Sequence, residues 1–487
     1  MENVEHEHSS WWTRPAGGRE VFGLALPMVV SMLSWTLMTF IDSIILQKYV
    51  SGAAMTAQFS ASIIWFTMLS LCWGICTYVS TFTSQYFGDG QNDKIGPITW
   101  QGVWLAILFI PIAIAAVPLA PYLFAAKGPE VAALEIRFFQ ILCWAAPGML
   151  AAQSLEAFFS GQGRTRVVMG VDALAVLVNL ILACVLVLGV GGGQSWGIDG
   201  AAWATVLAQW FRAVMYTFLV LRPANRRTFH TLQGMRWNPR LMARLIRFGG
   251  PSGVQMFLDV GGFAVFVQMV GKLGLLEYNA TSMVFRVSHV AFMPVWGLGM
   301  ATAVLVGQKL GENRPDLSSR AAHTTLGLAL GYMGLMSLLF SLTPNLFLSS
   351  FFTHGEAAIN ELPVRALAIE LLRFVAAYNI FDAAIIIFVS VLRGAGDTRF
   401  VMFTSGFMAT VLGLGSYIGI KYLHIDVYAA WTFVTVWIWV LAVIYVIRYR
   451  QGKWRAMRVI EQLHAAPQVH ESEEARWEAA AVAAASD

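Results

Sequence analysis

The sequence predicts an all-α polytopic membrane protein: twelve transmembrane helices in two six-helix lobes, related by pseudo-two-fold symmetry along the membrane normal. Three observations lead there. Of the 487 residues, 57% are hydrophobic and only 12% charged, against about 25% charged in a soluble domain. The apolar residues gather into about twelve segments, each long enough to cross a hydrocarbon core of roughly 30 Å at 1.5 Å rise per residue. Landmarks in the first half of the chain also return in the second half, in the same order.

The spans fall at 20–46, 57–84, 97–125, 130–158, 166–190, 198–221, 245–270, 277–307, 319–350, 363–391, 400–422 and 428–449. They are apolar nearly all round, which selects helices over a barrel, whose strands would alternate. The polar start MENVEHEHSS carries no cleavable signal, so the first span is expected to direct its own insertion. Basic residues concentrate after even-numbered spans: Lys94, Arg164 with Arg166, a run from Arg222 to Arg247, Lys309 with Arg314, and Arg393 with Arg399. Odd-numbered connections hold mostly single lysines, such as Lys48, Lys127 and Lys272. The positive-inside rule then makes both termini cytoplasmic in a multi-pass plasma-membrane protein, the inner membrane of a bacterium. This distribution is topological, and no nucleic-acid partner is expected. The four cysteines all lie within spans, so neither a disulfide framework nor a metal cluster is expected.

Internal similarity sets the architecture. FGLALPMVVSM with Pro27 returns as RFGGPSGVQM with Pro251, and TSQYFGDGQND with Gln85 returns as VGQKLGENRPD with Gln308. The proline-to-glutamine intervals are 58 and 57 residues. SGQGRTRVVM then matches RGAGDTRFVM, where glycines allow tight turns. The chain divides into a cytoplasmic N-terminal segment (1–19), an N-lobe (20–221), a basic cytoplasmic linker (222–244), a C-lobe (245–450) and a cytoplasmic tail (451–487) to which no role is assigned. Six spans per half leave the halves in the same orientation, as in secondary transporters whose sites lie between two rocking bundles.

Three aspartates sit deep inside spans, away from their ends: Asp42, Asp259 and Asp382. A charge at the bilayer centre costs about 2.5–3.5 kcal/mol on insertion scales, so these residues mark an ion or substrate route. Tyr378 and Asp382 are four residues apart, as are Gln255 and Asp259, so each pair shares a helix face. Oxygen ligands suit a hard cation such as sodium, and a proton relieves the same carboxylate repulsion. Arg286 lies in the eighth span and is expected to pair with Asp259 or Asp382, the alternatives being contact with an anionic substrate or a place on an aqueous rim. Glu156 and Asp172 lie nearer the cytoplasmic ends of their spans and are expected to be solvated or to cap. Trp35, Met38 and Met256 share helices with the acids and suit a chamber for flat apolar cargo. Pro27, Pro251 and Pro294 are candidate flexing points.

Over roughly 20–450 the sequence resembles the multidrug and toxic-compound extrusion (MATE) family, its NorM-type branch most closely. The resemblance rests on ALPMVVSMLSWTLMTFIDSIIL, QYFGDG, WGIDGAAWATV, FMPVWGLGMATAVLVGQKLGE and LRGAGDTR, in that order. It implies an exporter of amphipathic, often cationic compounds, driven by sodium or protons, monomeric, and a transporter rather than an enzyme. It implies an N-lobe site at Asp42, Asn179 and Thr205, and a C-lobe site at Asp259, Tyr378 and Asp382 that would hold sodium. Alignment on FMP puts Ser282 and Arg286 in the cavity beside Gln255 and Met256. Ala183 stands where many members carry a second N-lobe ligand. The expected partners are a small amphipathic substrate and membrane lipid, with no cofactor beyond the coupling ion. The alternatives are a lipid-linked sugar flippase of the same superfamily and a polytopic membrane enzyme.

Overall fold

The computed structural model describes residues 11–124, 129–189, 195–348 and 357–461. Residues 1–10, Lys127 and the tail beyond Glu461, with its EARWEAAAVAAASD run, lie outside the described residues. Among those described the chain is helical, with no strand. Ten helices are long and apolar enough to cross a membrane, and two bent pairs bring the spans to twelve. The chain is a multi-pass membrane protein.

The first half runs α1 (Gly18–Tyr49), α2 (Gly52–Gly88), α3 (Ile95–Ala116), α4 (Ala120–Leu123), α5 (Pro129–Leu142), α6 (Ala145–Gly161), α7 (Thr165–Leu188) and α8 (Gly197–Val220). The linker forms α9 (Pro223–Phe229). The second half runs α10 (Pro239–Val270), α11 (Leu275–Gly311), α12 (Pro315–Leu342), α13 (Pro344–Leu348), α14 (Ala357–Ala395), α15 (Thr398–Lys421) and α16 (Val427–Arg450).

Departures from the expected spans have local causes. The third span stops at Ala116 because Pro118 and Pro121 lack the N–H that would continue it. The fourth breaks at Cys143 and Trp144 into α5 and α6, bent by 45°. The seventh starts at Pro239 rather than 245, because the Asn238 side chain accepts from the Arg240 and Leu241 N–H groups. Just before the fifth and eleventh spans, Gly163 (φ +78°) and Gly396 (φ +108°) take left-handed conformations, the same device in each repeat.

The repeats pack alike. α1 lies on α7 as α10 lies on α15, α2 on α6 as α11 on α14, and α6 on α8 as α14 on α16. Helices in lipid gain little from apolar contact with one another, so close packing needs small side chains. α6, AAPGMLAAQSLEAFFSG, is buried along almost its whole length at the centre of its lobe. α15 instead exposes Phe403, Phe407, Leu414 and Ile418 as a lipid-facing stripe.

Across the seam between lobes, α1 packs on α11 and α10 on α2. The approach is backbone to backbone. A Cβ on Gly74 would lie 2.6 Å from Gly253 Cα, and one on its repeat partner Gly297 would lie 2.8 Å from Val29 Cα. We expect Gly74→Val to keep the lobes from seating here, an overpacking cost of about 1–3 kcal/mol. Transport should fall while helical content by circular dichroism stays unchanged; wild-type transport would show that the seam tolerates the methyl groups.

The seam is closed at the end that carries the described N- and C-terminal segments. Gln85 Nε2 donates to the Gly394 carbonyl and Gln308 Nε2 to the Gly161 carbonyl, both at 2.8 Å. Each glutamine thus ties one lobe's second helix to the other lobe's glycine turn. Lys309 of α11 adds an ion pair with Glu20 of α1 at 3.6 Å.

Candidate functional site: buried acids in each lobe

In the N-lobe, Asp42 is 3% exposed on α1 and faces Asn179, 1% exposed on α7. The contact is incomplete: Asp42 Oδ1 and Asn179 Nδ2 each lack a hydrogen-bond partner. Buried polar atoms are normally satisfied, so two orphans side by side leave room for an added proton, ion or water. Thr205 on α8 donates its hydroxyl to the Ala201 carbonyl at 3.2 Å, and no hydrogen bond joins it to Asp42.

In the C-lobe, Asp259 of α10 accepts from Gln255 Nε2 at 3.2 Å, one turn back as the spacing predicts. Asp382 of α14 is half-buried and within electrostatic reach of Asp259 and Tyr378. It accepts no hydrogen bond from a described residue. Between Tyr378 and Asp382 lies a residue that sequence reasoning passed over. Asn379 is 1% exposed, and neither its Oδ1 nor its Nδ2 has a partner. Its place three residues before Asp382 was the available signal.

The expected pairing of Arg286 with a C-lobe acid is not formed. Its guanidinium lies on the ring of Phe59, 4.3 Å from the centroid, across the seam on α2. The arginine beside Asp259 is Arg393, expected in a cytoplasmic connection but carried inside α14 because that helix runs on to Ala395. Arg393 Nε donates to Gln255 Oε1 at 3.1 Å and Nη2 to the Ser252 carbonyl at 3.4 Å. Gln255 therefore bridges Arg393 to Asp259. Asp259 has a nearby counter-charge, and Asp382 does not share that bridge.

The expectation for Glu156 and Asp172 is also corrected. Both are buried, because Arg212 of α8 binds them together. Its Nε contacts Asp172 Oδ1 at 2.7 Å and its Nη2 pairs with Glu156. Tyr216 donates to Asp172 Oδ1 at 3.1 Å, and Ser31 of α1 donates to Oδ2. Ser31 lies one turn beyond Pro27, so this cluster ties the proline-containing helix to α7. The insertion cost applied to the aspartates applies equally to Arg212, and would have flagged it.

Of the remaining cavity residues, Trp35 and Ser282 are half-buried, while Met38 (5% exposed) and Met256 (7%) are packed within protein in this conformation. Among the described residues no cluster of three His, Cys, Asp or Glu side chains converges as a metal centre.

The sequence pattern of the MatE family matches residues 27–185 and 251–416, one match in each repeat. A probable multidrug resistance protein NorM of Xanthomonas campestris pv. campestris is 28% identical over 420 residues, 85% of this chain and 89% of that one. The multidrug resistance protein MdtK of Proteus mirabilis is 27% identical over 414 residues, 82% and 86% of the two chains. Among solved structures, a MOP superfamily transporter from Pyrococcus furiosus superposes with TM-score 0.81 at 18% identity, covering 91% of this chain and 96% of that one. The eukaryotic MATE transporter AtDTX14 does so with TM-score 0.78 at 19% identity, over 90% and 96%.

Proposed function

The chain belongs to the MatE family of transporters, and from that premise we propose that it is a cation-coupled antiporter exporting amphipathic, mostly cationic compounds by alternating access. It is a transporter rather than an enzyme. The observation that carries the coupling is a set of unsatisfied buried polar atoms in each lobe, Asp42 with Asn179 in the first and Asn379, three residues before half-buried Asp382, in the second. Asp382, Tyr378 and the Asn379 carbonyl are oxygen donors on one stretch of α14, a set that suits sodium, and a proton can satisfy the same carboxylates. Asp259, offset by Arg393 through Gln255, orients the site rather than holding the ion alone.

In this reading the termini are cytoplasmic, so the closed seam is the cytoplasmic gate. An ion entering from outside binds the acids, weakens the hold on cargo, and leaves to the cytoplasm after the lobes rock. Coupling requires that the ion bind the two states unequally, since uniform binding shifts nothing. Arg286, stacked on Phe59 across the seam, is a basic point between the lobes where an anionic group on the cargo would sit.

Reconstituted vesicles test the proposal. With sodium imposed across the membrane at constant pH, and then a pH step at constant sodium, at least one gradient is expected to drive export of a cationic dye. Dye movement indifferent to both gradients would reject coupling.

A further inference from the structure

The described chain continues past α16. It turns at Gly452 (φ +70°), makes a short 3-10 helix at Lys453–Ala456, and runs across the closed end to Glu461. Trp454 is buried, stacks on Tyr449 at 5.3 Å, and donates its indole N–H to the Tyr449 carbonyl at 3.0 Å. That anchors the segment in the C-lobe. Val459 and Ile460 are buried elsewhere, in a cluster with Ile75, Tyr78 and Phe82 of α2 and Leu245 of α10.

Polar contacts follow the same crossing. The Val459 N–H donates to Gln85 Oε1 at 2.8 Å, on the amide whose Nε2 already holds Gly394. Gln91 Nε2 of the N-lobe donates to the Glu461 carbonyl at 2.6 Å, while Arg244 of the C-lobe pairs with the Glu461 carboxylate at 2.9 Å. The pseudo-two-fold makes the asymmetry plain. Gln308 holds Gly161 as Gln85 holds Gly394, but no described backbone N–H donates to its Oε1.

We propose that Gly452–Glu461 is a strap across the lobe seam that holds the gate shut at this end and sets how readily the transporter opens there. The proposal rests on the alternating-access reading above. Rocking that opens this end must part Gln85 from Gly394. Because the strap is anchored by Trp454 in one lobe and by Val459 and Ile460 against the other, the same motion must pull Val459 from Gln85 or lift the apolar pair from its cluster. The segment therefore adds its contacts to one side of the conformational equilibrium only.

The test uses the full chain in lipid nanodiscs, with spin labels at Arg166 and Arg399, exposed repeat-equivalent positions at the starts of α7 and α15, and the native cysteines replaced. Val459→Pro removes the N–H; Val459→Ala keeps it. Val459→Pro is expected to raise the long-distance, open population about five-fold beyond Val459→Ala, one hydrogen bond's net worth, while Val459→Ala itself raises it through the apolar contact it trims. Glu461→Lys, which sets like charge against Arg244 without touching the core, is expected to move it the same way by roughly two-fold, and carries the test if the proline variant does not insert. Distance distributions equal to wild type for the variants that fold would overturn the strap. A wild-type protein whose label distance responds to no ion or substrate would instead overturn the rocking reading, and the strap with it.

Discussion

Asp382→Asn is expected to abolish gradient-driven export while leaving the fold intact. Asparagine fills nearly the same volume, so packing around Tyr378 and Asn379 should persist. What disappears is the charge that no described hydrogen bond satisfies. A charged partner contributes about 1.5–3 kcal/mol, so affinity for the coupling ion should fall on the order of ten- to a hundred-fold. Drug accumulation in cells should rise to the level of an empty vector, with the melting temperature of the purified protein close to wild type. Unchanged efflux would remove Asp382 from the mechanism. Asp259→Asn is expected to be milder, since Arg393 through Gln255 already offsets that carboxylate.

The second large effect lies away from the ion sites. Arg212→Met should leave Glu156 and Asp172 facing each other inside the N-lobe without their shared cation. Breaking a buried ion cluster by removing one partner costs about 3–5 kcal/mol, enough to deplete folded protein from the membrane. The triple change Arg212→Met with Glu156→Gln and Asp172→Asn removes every charge at once, and is expected to restore most of the yield. One of Ser31 and Tyr216 can still donate to the amide oxygen of residue 172, and the other hydroxyl can accept from its Nδ2. A single variant that accumulates and melts like wild type would show that the cluster carries no such stabilisation.

The spans and the two-lobe plan were legible in the chain because both follow from one-dimensional quantities, apolar run length and the recurrence of Pro27 at Pro251 and of Gln85 at Gln308. The three span aspartates were legible for a related reason: the bilayer makes any charge costly wherever it falls. What sequence did not give was which charges meet. Arg286 and Arg393 both lie near the C-lobe acids in sequence terms. Rotation of α11 carries the first to Phe59, and the length of α14 brings the second to Gln255. Arg212 finds Glu156 and Asp172 from 56 and 40 residues away, a pairing fixed only when α6, α7 and α8 pack. Asn379 was hidden by a different cause, since an amide in a span is unremarkable until its neighbours fail to satisfy it.

The crossed glutamines also bear on biogenesis. Gln85 emerges from the ribosome early, yet the groups that satisfy it belong to residues 394 and 459. The first lobe can insert and pack its own helices while this amide stays uncommitted. The join between halves is then finished only once the chain beyond α16 has been made. A nascent protein halted before that point would hold two assembled bundles with an unsealed seam between them.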